Sequence, residues 1–312
     1  YSRKFTNIFF FFCLTYSYKS QHSLRISYNG STKQPTFNQL QPLINNSNLF
    51  NQYIGNPYLN PSFNNNFNLS HNAYNFMKEM YTYQGIGATI TSNAITNNKM
   101  TDITTGQTIT QPINTNGNLN LYMYGGMGTK IKKLNMSLDV GPNINYSKFA
   151  DVIQGLTSYN KNLNAGIRVG LNKSKDKKYD VGISNNFSVN SNKTSQTNTS
   201  DAYMSNTLSL NATVYYKKVW SVSSDYEYFY RQKTPQFNSS LNNNLWNAKV
   251  QRTFKKNEFT AYFKVHDILN QNIGITRNFN GNSLSEEINA RLQRYWLLGF
   301  TWDFKNKPPK DK

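Results

Sequence analysis

His22, His71 and His266 are the chain's three histidines, and none has a second histidine, a cysteine or a carboxylate at metal-ligand spacing. Zinc-type chemistry is therefore not expected of them. Carboxylate pairs come next. Glu286 and Glu287 are adjacent in a polar stretch, and Asp225 and Glu227 are two apart, which puts both on one side of a strand. Two carboxylates perform acid–base work when they are held about 5–9 Å apart across a cleft and their surroundings drive their pKa values apart. The polar flanks of these pairs supply no such burial, and a wet wall explains them more simply. There is no nucleophile elbow, phosphate loop or dinucleotide fingerprint. Cys13 is the single cysteine, which excludes an internal disulfide and a cysteine-based metal site. The chain is read as no enzyme, with no catalytic residue, no cofactor and no metal.

Charge and composition then restrict the partners. Lys and Arg number 34 against 15 Asp and Glu, a net charge of +19. A basic chain raises nucleic acid as a partner, but the lysines gather in short turns, with no recognition helix, finger spacing or RNP-like strand beside them, so nucleic acid is set aside. Lipid headgroup or lipopolysaccharide phosphates fit better. Only 37% of residues are hydrophobic, yet aromatics reach 15%, with 22 Tyr and 20 Phe. Disordered chains lack aromatics. This mixture suits strands with one apolar face and one wet, mostly uncharged face. The run from Ile8 to Leu14 is no signal peptide, since it leads into Thr15-Tyr16-Ser17-Tyr18, which reads as strand. No 18 uncharged apolar residues run together, which excludes a transmembrane helix.

The elements that must position these residues alternate with period two. Leu24, Ile26 and Tyr28 oppose Ser23, Arg25 and Ser27; Leu163, Ala165, Ile167, Val169 and Leu171 oppose Asn164, Gly166, Arg168, Gly170 and Asn172; Leu208 and Leu210 oppose Ser209 and Asn211. A soluble antiparallel sheet would also alternate, but many segments here exceed ten residues where a globular strand averages about five or six. About ten residues tilted near 45° cross a bilayer. Aromatics crowd toward segment ends, as in Trp220, Tyr226, Tyr228 and Tyr230, fitting interfacial girdles. Thirteen segments emerge, near 5–18, 22–32, 62–76, 80–97, 118–129, 133–147, 159–172, 178–190, 202–217, 219–231, 244–255, 258–268 and 294–304. Short Lys-rich connections, among them 173–178 and 255–257, alternate with longer polar ones near 33–61, 98–117, 148–158, 191–201, 231–243 and 270–293. Helical turns are expected only inside loops, at 36–44 and 284–293, the latter starting from Ser285, Glu286 and Glu287.

The fold class that follows is all-β: a transmembrane antiparallel β-barrel of the outer membrane of a Gram-negative bacterium, with long extracellular loops and short periplasmic turns. An odd number of spans leaves the two ends on opposite sides, which a complete bacterial barrel avoids. Either one strand escapes the alternation, or residues 1–304 are a portion of about 13 strands that starts partway round a larger barrel; a charged periplasmic tail is expected at 305–312.

A resemblance sharpens this picture. Phe263-Lys264-Val265-His266-Asp267-Ile268-Leu269-Asn270-Gln271-Asn272, then Arg277, then Leu292-Gln293-Arg294-Tyr295-Trp296-Leu297-Leu298-Gly299-Phe300-Thr301-Trp302-Asp303-Phe304 resemble the end of the barrel domain of Bacteroidetes-type TonB-dependent receptors. The stretches His22 to Thr32 and Tyr53-Ile54-Gly55-Asn56-Pro57 are similar to earlier parts of the same domain. The resemblance implies that the chain is the C-terminal portion of a barrel of about 22 strands around a plug, with its N-terminal strands and plug absent, and it implies uptake of a scarce solute. TonB and a surface lipoprotein are the further partners it implies. No plug and no TonB box can be matched in this stretch. The alternative is a structural or scaffold barrel in an export, assembly or surface-lipoprotein complex.

Specific residues carry these expectations. Tyr53 and Tyr58, on a loop made rigid by Pro57 and Pro61, are candidates for loop recognition. Alternation assigns Arg25, Arg168, Lys264, His266 and Asp303 to the lumen. In the last strand it assigns Trp296, Leu298, Phe300, Trp302 and Phe304 to lipid, with Tyr295, Leu297, Gly299 and Thr301 inward.

Overall fold

The computed structural model describes residues 6–45, 48–196, 200–254, 258–280 and 283–304. In chain order its elements are β1 (Phe11–Lys19), β2 (His22–Lys33), a one-turn helix α1 (Phe37–Leu40), β3 (Ile44–Asn45), β4 (Asn51–Ile54), β5 (Ser62–Asn75), β6 (Met80–Ser92), β7 (Ala94–Thr101), β8 (Thr108–Thr115), β9 (Asn118–Ile131), β10 (Met136–Ile153), β11 (Leu156–Lys175), β12 (Tyr179–Thr194), β13 (Ser200–Tyr216), β14 (Trp220–Arg231), β15 (Leu241–Phe254), β16 (Phe259–His266), β17 (Ile275–Asn280), β18 (Ser283–Ile288) and β19 (Tyr295–Trp302). Among the described residues no helix is long and apolar enough to cross a membrane, which says nothing of crossing by strands.

Thirteen of these strands form one antiparallel wall in chain order, β1-β2-β5-β6-β9-β10-β11-β12-β13-β14-β15-β16-β19. Each corresponds to one of the thirteen alternating segments. Among the described residues no ladder joins β1 to β19, so the wall has two free edges. The parts of the sequence expectations at Phe5, at the 255–257 turn and in the 305–312 tail lie outside the described residues.

Register makes the wall two-faced. Directly opposed residues on neighbouring strands share a face, so a row can be followed from strand to strand. Leu14, Ile26, Leu69, Ile86, Met123, Ile144, Ala165, Val189 and Met204 form one such row from β1 to β13. Val214, Val222, Val250, Phe263 and Leu298 carry the same face on to β19. The other face holds Thr15, Arg25, Ser70, Gly85, Tyr124, Asn143, Gly166, Ser188, Ser205 and Arg231 in one row. The abundance of asparagine gains a reason here. Asn143 donates to Asn164 at 3.2 Å and Asn164 to Asn190 at 2.7 Å, tying three strands together without charge.

No ordinary core lies between these faces. The chain exposes 21046 Å², where a compact globular chain of this mass would expose about 13,000 Å². Leu298 is 86% exposed and Phe300 66%. The buried apolar side chains among the described residues, Leu59, Ala94, Ala150, Val152, Phe237 and Leu241, lie at the end of the wall with the long connections.

That end differs from the loops expected there. The 148–158 stretch is strand almost throughout, because β10 and β11 run 18 and 20 residues and turn tightly at Gln154 and Gly155, with φ of 54° and 74°. The 98–117 stretch falls largely in the β7–β8 hairpin, which pairs in parallel with β4 and with the tip of β10. These strands are rich in Asn, Thr and Gln on both faces, so no hydrophobic alternation announces them. The helical turn expected at 284–293 is corrected: Ser285, Glu286 and Glu287 stand in β18, paired with β17, because Glu286 reaches Arg277 across the hairpin instead of capping its own backbone. Within 36–44 a single turn forms at Phe37–Leu40, with Thr36 and Gln39 making a reciprocal capping box.

The opposite end is built from tight turns. Tyr216 to Val219 closes β13 onto β14 with Lys217 and Lys218 both at positive φ, 48° and 60°. Turns of this kind favour Asn-Gly, and an L-residue in the left-handed region costs on the order of 1–2 kcal/mol. Lysine is thus a poor choice for the backbone it occupies.

Candidate functional site

The polar face between β6 and β11 holds the most structured group of side chains. Its floor is a complementary pair of strands: Tyr81 opposes Gly128, Tyr83 opposes Gly126, Gly85 opposes Tyr124 and Gly87 opposes Tyr122. Each ring covers the facing glycine, and a Cβ built on any of the four glycines would clash with the ring's Cζ. Tyr83 and Tyr124 meet between β6 and β9 with ring centroids 6.3 Å apart. The same device recurs at Gly299, covered by Tyr262. This explains why a glycine sits in an otherwise bulky last strand.

Beside the tyrosines a groove of about 530 Å³ is lined by Tyr83, Tyr124, Asp139, Asn143, Arg168 and Asn186, among others. Tyr81 donates its hydroxyl to Asp139 at 2.8 Å. Arg168 is exposed and in no ion pair among the described residues. The groove therefore offers aromatic faces, neutral amides, the Asp139 carboxylate and the Arg168 guanidinium to whatever occupies it. The opposite, apolar face carries a shallow depression of about 650 Å³ over Ala88, walled by Phe12, Ile26, Phe67, Leu121 and Ile144. Methyl and phenyl surface dominates there, which suits hydrocarbon.

At the long-connection end, side-chain amides join segments remote in sequence. Asn56 donates to the carbonyl of Pro112 at 3.1 Å, and Asn114 donates to the Asn60 carbonyl at 2.9 Å while accepting from the Asn60 N–H at 2.8 Å. Leu59 is fully buried between them in sequence. A second knot centres on Arg231, which pairs with the fully buried Asp201 at 3.5 Å and stacks over Tyr203 at 3.9 Å. Arg231 and Arg277 both lie over the Phe237 ring, at 5.5 and 5.0 Å, and Arg277 bonds Glu286 at 2.6 Å and donates to the Ser239 carbonyl at 2.6 Å. The turn from Asp267 to Asn272 is a third. Asp267, 1% exposed, accepts from the N–H groups of Gln271 and Asn272, both at 2.9 Å, while the Asn270 side chain accepts from Arg294 N–H at 3.0 Å. Asp267 and Asn270 both hold positive φ, which Asp and Asn tolerate best after glycine. These acidic and amide residues of the turn fasten the end of β16 to the start of β19.

The residues singled out by sequence fall as follows. Arg25, Arg168, Lys264 and His266 lie on the polar face, with His266 stacked on Tyr295 at 4.5 Å. Asp303 follows β19 on the phase of Thr301, its N–H bonded to the Glu258 carbonyl at 2.8 Å. Trp296, Leu298, Phe300 and Trp302 share the opposite face, and Phe304 packs on Trp302 at 4.0 Å. Tyr53 is half-buried in β4, with burial raising its phenol above the ordinary value, whereas Tyr58 is 82% exposed. Asp225 and Glu227 do share the polar face, against Asn211 and Ser209. Two histidines that look remote in sequence converge: His71 accepts from or donates to Tyr18 at 2.8 Å, and His22 lies edge-on to the same ring at 5.5 Å. The β1–β2 and β2–β5 registers, which sequence spacing does not reveal, bring them together at Tyr18. Among the described residues no group of three or more His, Cys, Asp or Glu converges to hold a metal. Sequence spacing does not show the Asp201–Arg231 pair either, since its members stand thirty residues apart at the far ends of the neighbouring β13 and β14.

An extended antiparallel wall with one face mainly apolar, interrupted by His71, Gln84, Asn185 and Ser224, and the other polar has the pattern of outer-membrane strands. The chain belongs to the outer membrane protein beta-barrel family, whose model matches residues 1–164, from the N-terminal edge of the wall into β11. No curated protein matches the chain.

Proposed function

We propose that the chain forms part of the barrel of an outer-membrane receptor that takes up a scarce solute, in the manner of the TonB-dependent receptors its sequence resembles. The observation that carries this reading is the division of all thirteen strands into an apolar and a polar face. The apolar rows meet lipid, where each buried methylene is worth about 0.8 kcal/mol. Arg25, Arg168, Lys264 and His266 then face the lumen, because a Lys or Arg on the lipid face costs about 2–4 kcal/mol at midplane. The stapled end with Tyr53 and Tyr58 stands outside, where long connections belong. The edges of β1 and β19 cannot face hydrocarbon with their N–H and C=O groups unpaired, so further strands complete the wall there. A plug lies with that remainder, and the solute is bound between it and the extracellular loops, Tyr53 and Tyr58 among them.

The test is uptake by intact cells. A strain lacking the gene should lose accumulation of one limiting solute, and disabling the energy-coupling complex should produce the same loss. Unchanged uptake of every scarce solute tried, with the outer membrane's assembly disturbed instead, favours the scaffold reading.

A further inference from the structure

The short-turn end carries a repeated feature that solute uptake does not use. Three successive tight turns of the wall each hold two adjacent lysines: Lys132 and Lys133 after β9, Lys177 and Lys178 after β11, Lys217 and Lys218 after β13. All six are exposed, and none is in an ion pair among the described residues. Successive turns are two strand spacings apart, about 10 Å. The charges therefore form a rim along one edge plane, with no concave pocket that would suit a single small anion.

Two further observations point the same way. Lys177, Lys217 and Lys218 sit at positive φ, 53°, 48° and 60°, where Gly or Asn fits best. A chain so rich in asparagine elsewhere places lysine at these turns against local backbone preference. Just inside the rim stand Tyr216 and Trp220, with Lys217 over the Tyr216 ring at 5.2 Å and Arg252 over the Trp220 ring at 5.1 Å. Aromatic rings of this kind mark the headgroup level of a bilayer, which puts the lysines beside lipid phosphates.

We infer that this lysine rim binds the phosphates of anionic lipids in the leaflet at the short-turn end of the wall. The inference rests on the membrane-spanning reading above and adds a counter-surface to it. It also moves the excess positive charge away from lipopolysaccharide, which would meet the opposite end. A plane of regularly spaced cations facing a plane of phosphates gains about the same from each turn, and salt weakens it.

The experiment uses the whole protein purified from membranes and inserted into vesicles of phosphatidylcholine, alone or mixed with phosphatidylglycerol. The readout is the temperature at which the folded, fast-migrating gel band is lost. The native protein should gain several degrees from phosphatidylglycerol, and high salt should erase the gain. Replacing the six lysines by Gln should abolish the gain and leave the value in phosphatidylcholine nearly unchanged. Lys217→Asn with Lys218→Gly should act in opposite senses: it relieves the turn and raises the transition in phosphatidylcholine, yet reduces the gain from phosphatidylglycerol. A gain that survives the six substitutions, or no gain in the native protein, overturns the inference and leaves an acidic soluble partner as the rim's occupant. Failure to insert into either vesicle would instead overturn the spanning reading itself.

Discussion

The two ends of the wall hold their chain by different means. At the long-connection end, strands extend past the wall and knot together through buried leucine, reciprocal asparagine bonds and an arginine stacked between aromatic rings. At the short-turn end, exposed lysines occupy turns that their backbone conformation disfavours, and the side-chain contacts, such as Tyr18 with His71 and Lys130 with Glu79, are exposed to solvent. The difference teaches where stability and surface chemistry are separated. One end is a packed unit that holds the buried apolar residues among those described. The other is a presented surface whose order comes from the ladders behind it.

This contrast can be broken most sharply at Asp201. Removing one member of a buried ion pair leaves the other charged and unsatisfied, which costs about 3–5 kcal/mol. Asp201→Ala should therefore lower the unfolding transition by several degrees and loosen the β17–β18 hairpin through Arg277, with hydrogen exchange rising there and not in the wall strands. If exchange rises uniformly, the knot is not a separate unit.

An intermediate effect is expected in the floor of the polar groove. Gly126→Val forces a branched side chain into the space filled by the Tyr83 ring, and overpacking of this kind costs about 1–3 kcal/mol. The companion change Tyr83→Ala should recover part of the loss, because it empties that space. Lack of any recovery in the double variant would mean that the ring and the glycine are not coupled.

The smallest effect is expected at Asp102, fully exposed at the tip of the β7–β8 hairpin. Backbone N–H groups of Thr104 and Thr105 bond its carboxylate, at 2.8 and 3.4 Å, and hold its pKa below the ordinary range. A depressed carboxylate pKa contributes stability that is present above the unfolded value, about 3.9, and is lost as pH falls through the lower folded value. Exchange of the Thr104 and Thr105 amides should therefore quicken on acidification below that range, while Asp102→Asn should weaken this response. A response starting above pH 5 would assign it to another group.

The wall was legible in the sequence and the knots were not. Alternation is a local property, and the rows that contain Leu138, Leu171 or Leu210 could be read one strand at a time. Bilayer-facing strands state their phase in every second residue. The Asp201–Arg231 pair, the Asn60–Asn114 exchange and the meeting of His22 with His71 at Tyr18 depend on register between strands, which residue spacing does not carry. Glu286 and Glu287 were misread for a related reason. A Ser-Glu-Glu run fits a helix start, but the competing partner Arg277 lies nine residues back and decides for a hairpin. The tyrosine–glycine floor was visible as residues and invisible as a device, because Tyr81-x-Tyr83-x-Gly85-x-Gly87 gains meaning only beside its antiparallel complement.

The most direct measurement is the accessibility of paired spin labels on neighbouring positions of β19 in the membrane-inserted protein. Labels at Leu298 and Phe300 should relax with oxygen dissolved in the bilayer, and a label at Thr301 with a water-soluble nickel complex. Quenching of the Thr301 label by oxygen while those at Leu298 and Phe300 respond only to nickel would contradict the account, by turning the apolar rows of the whole wall away from lipid.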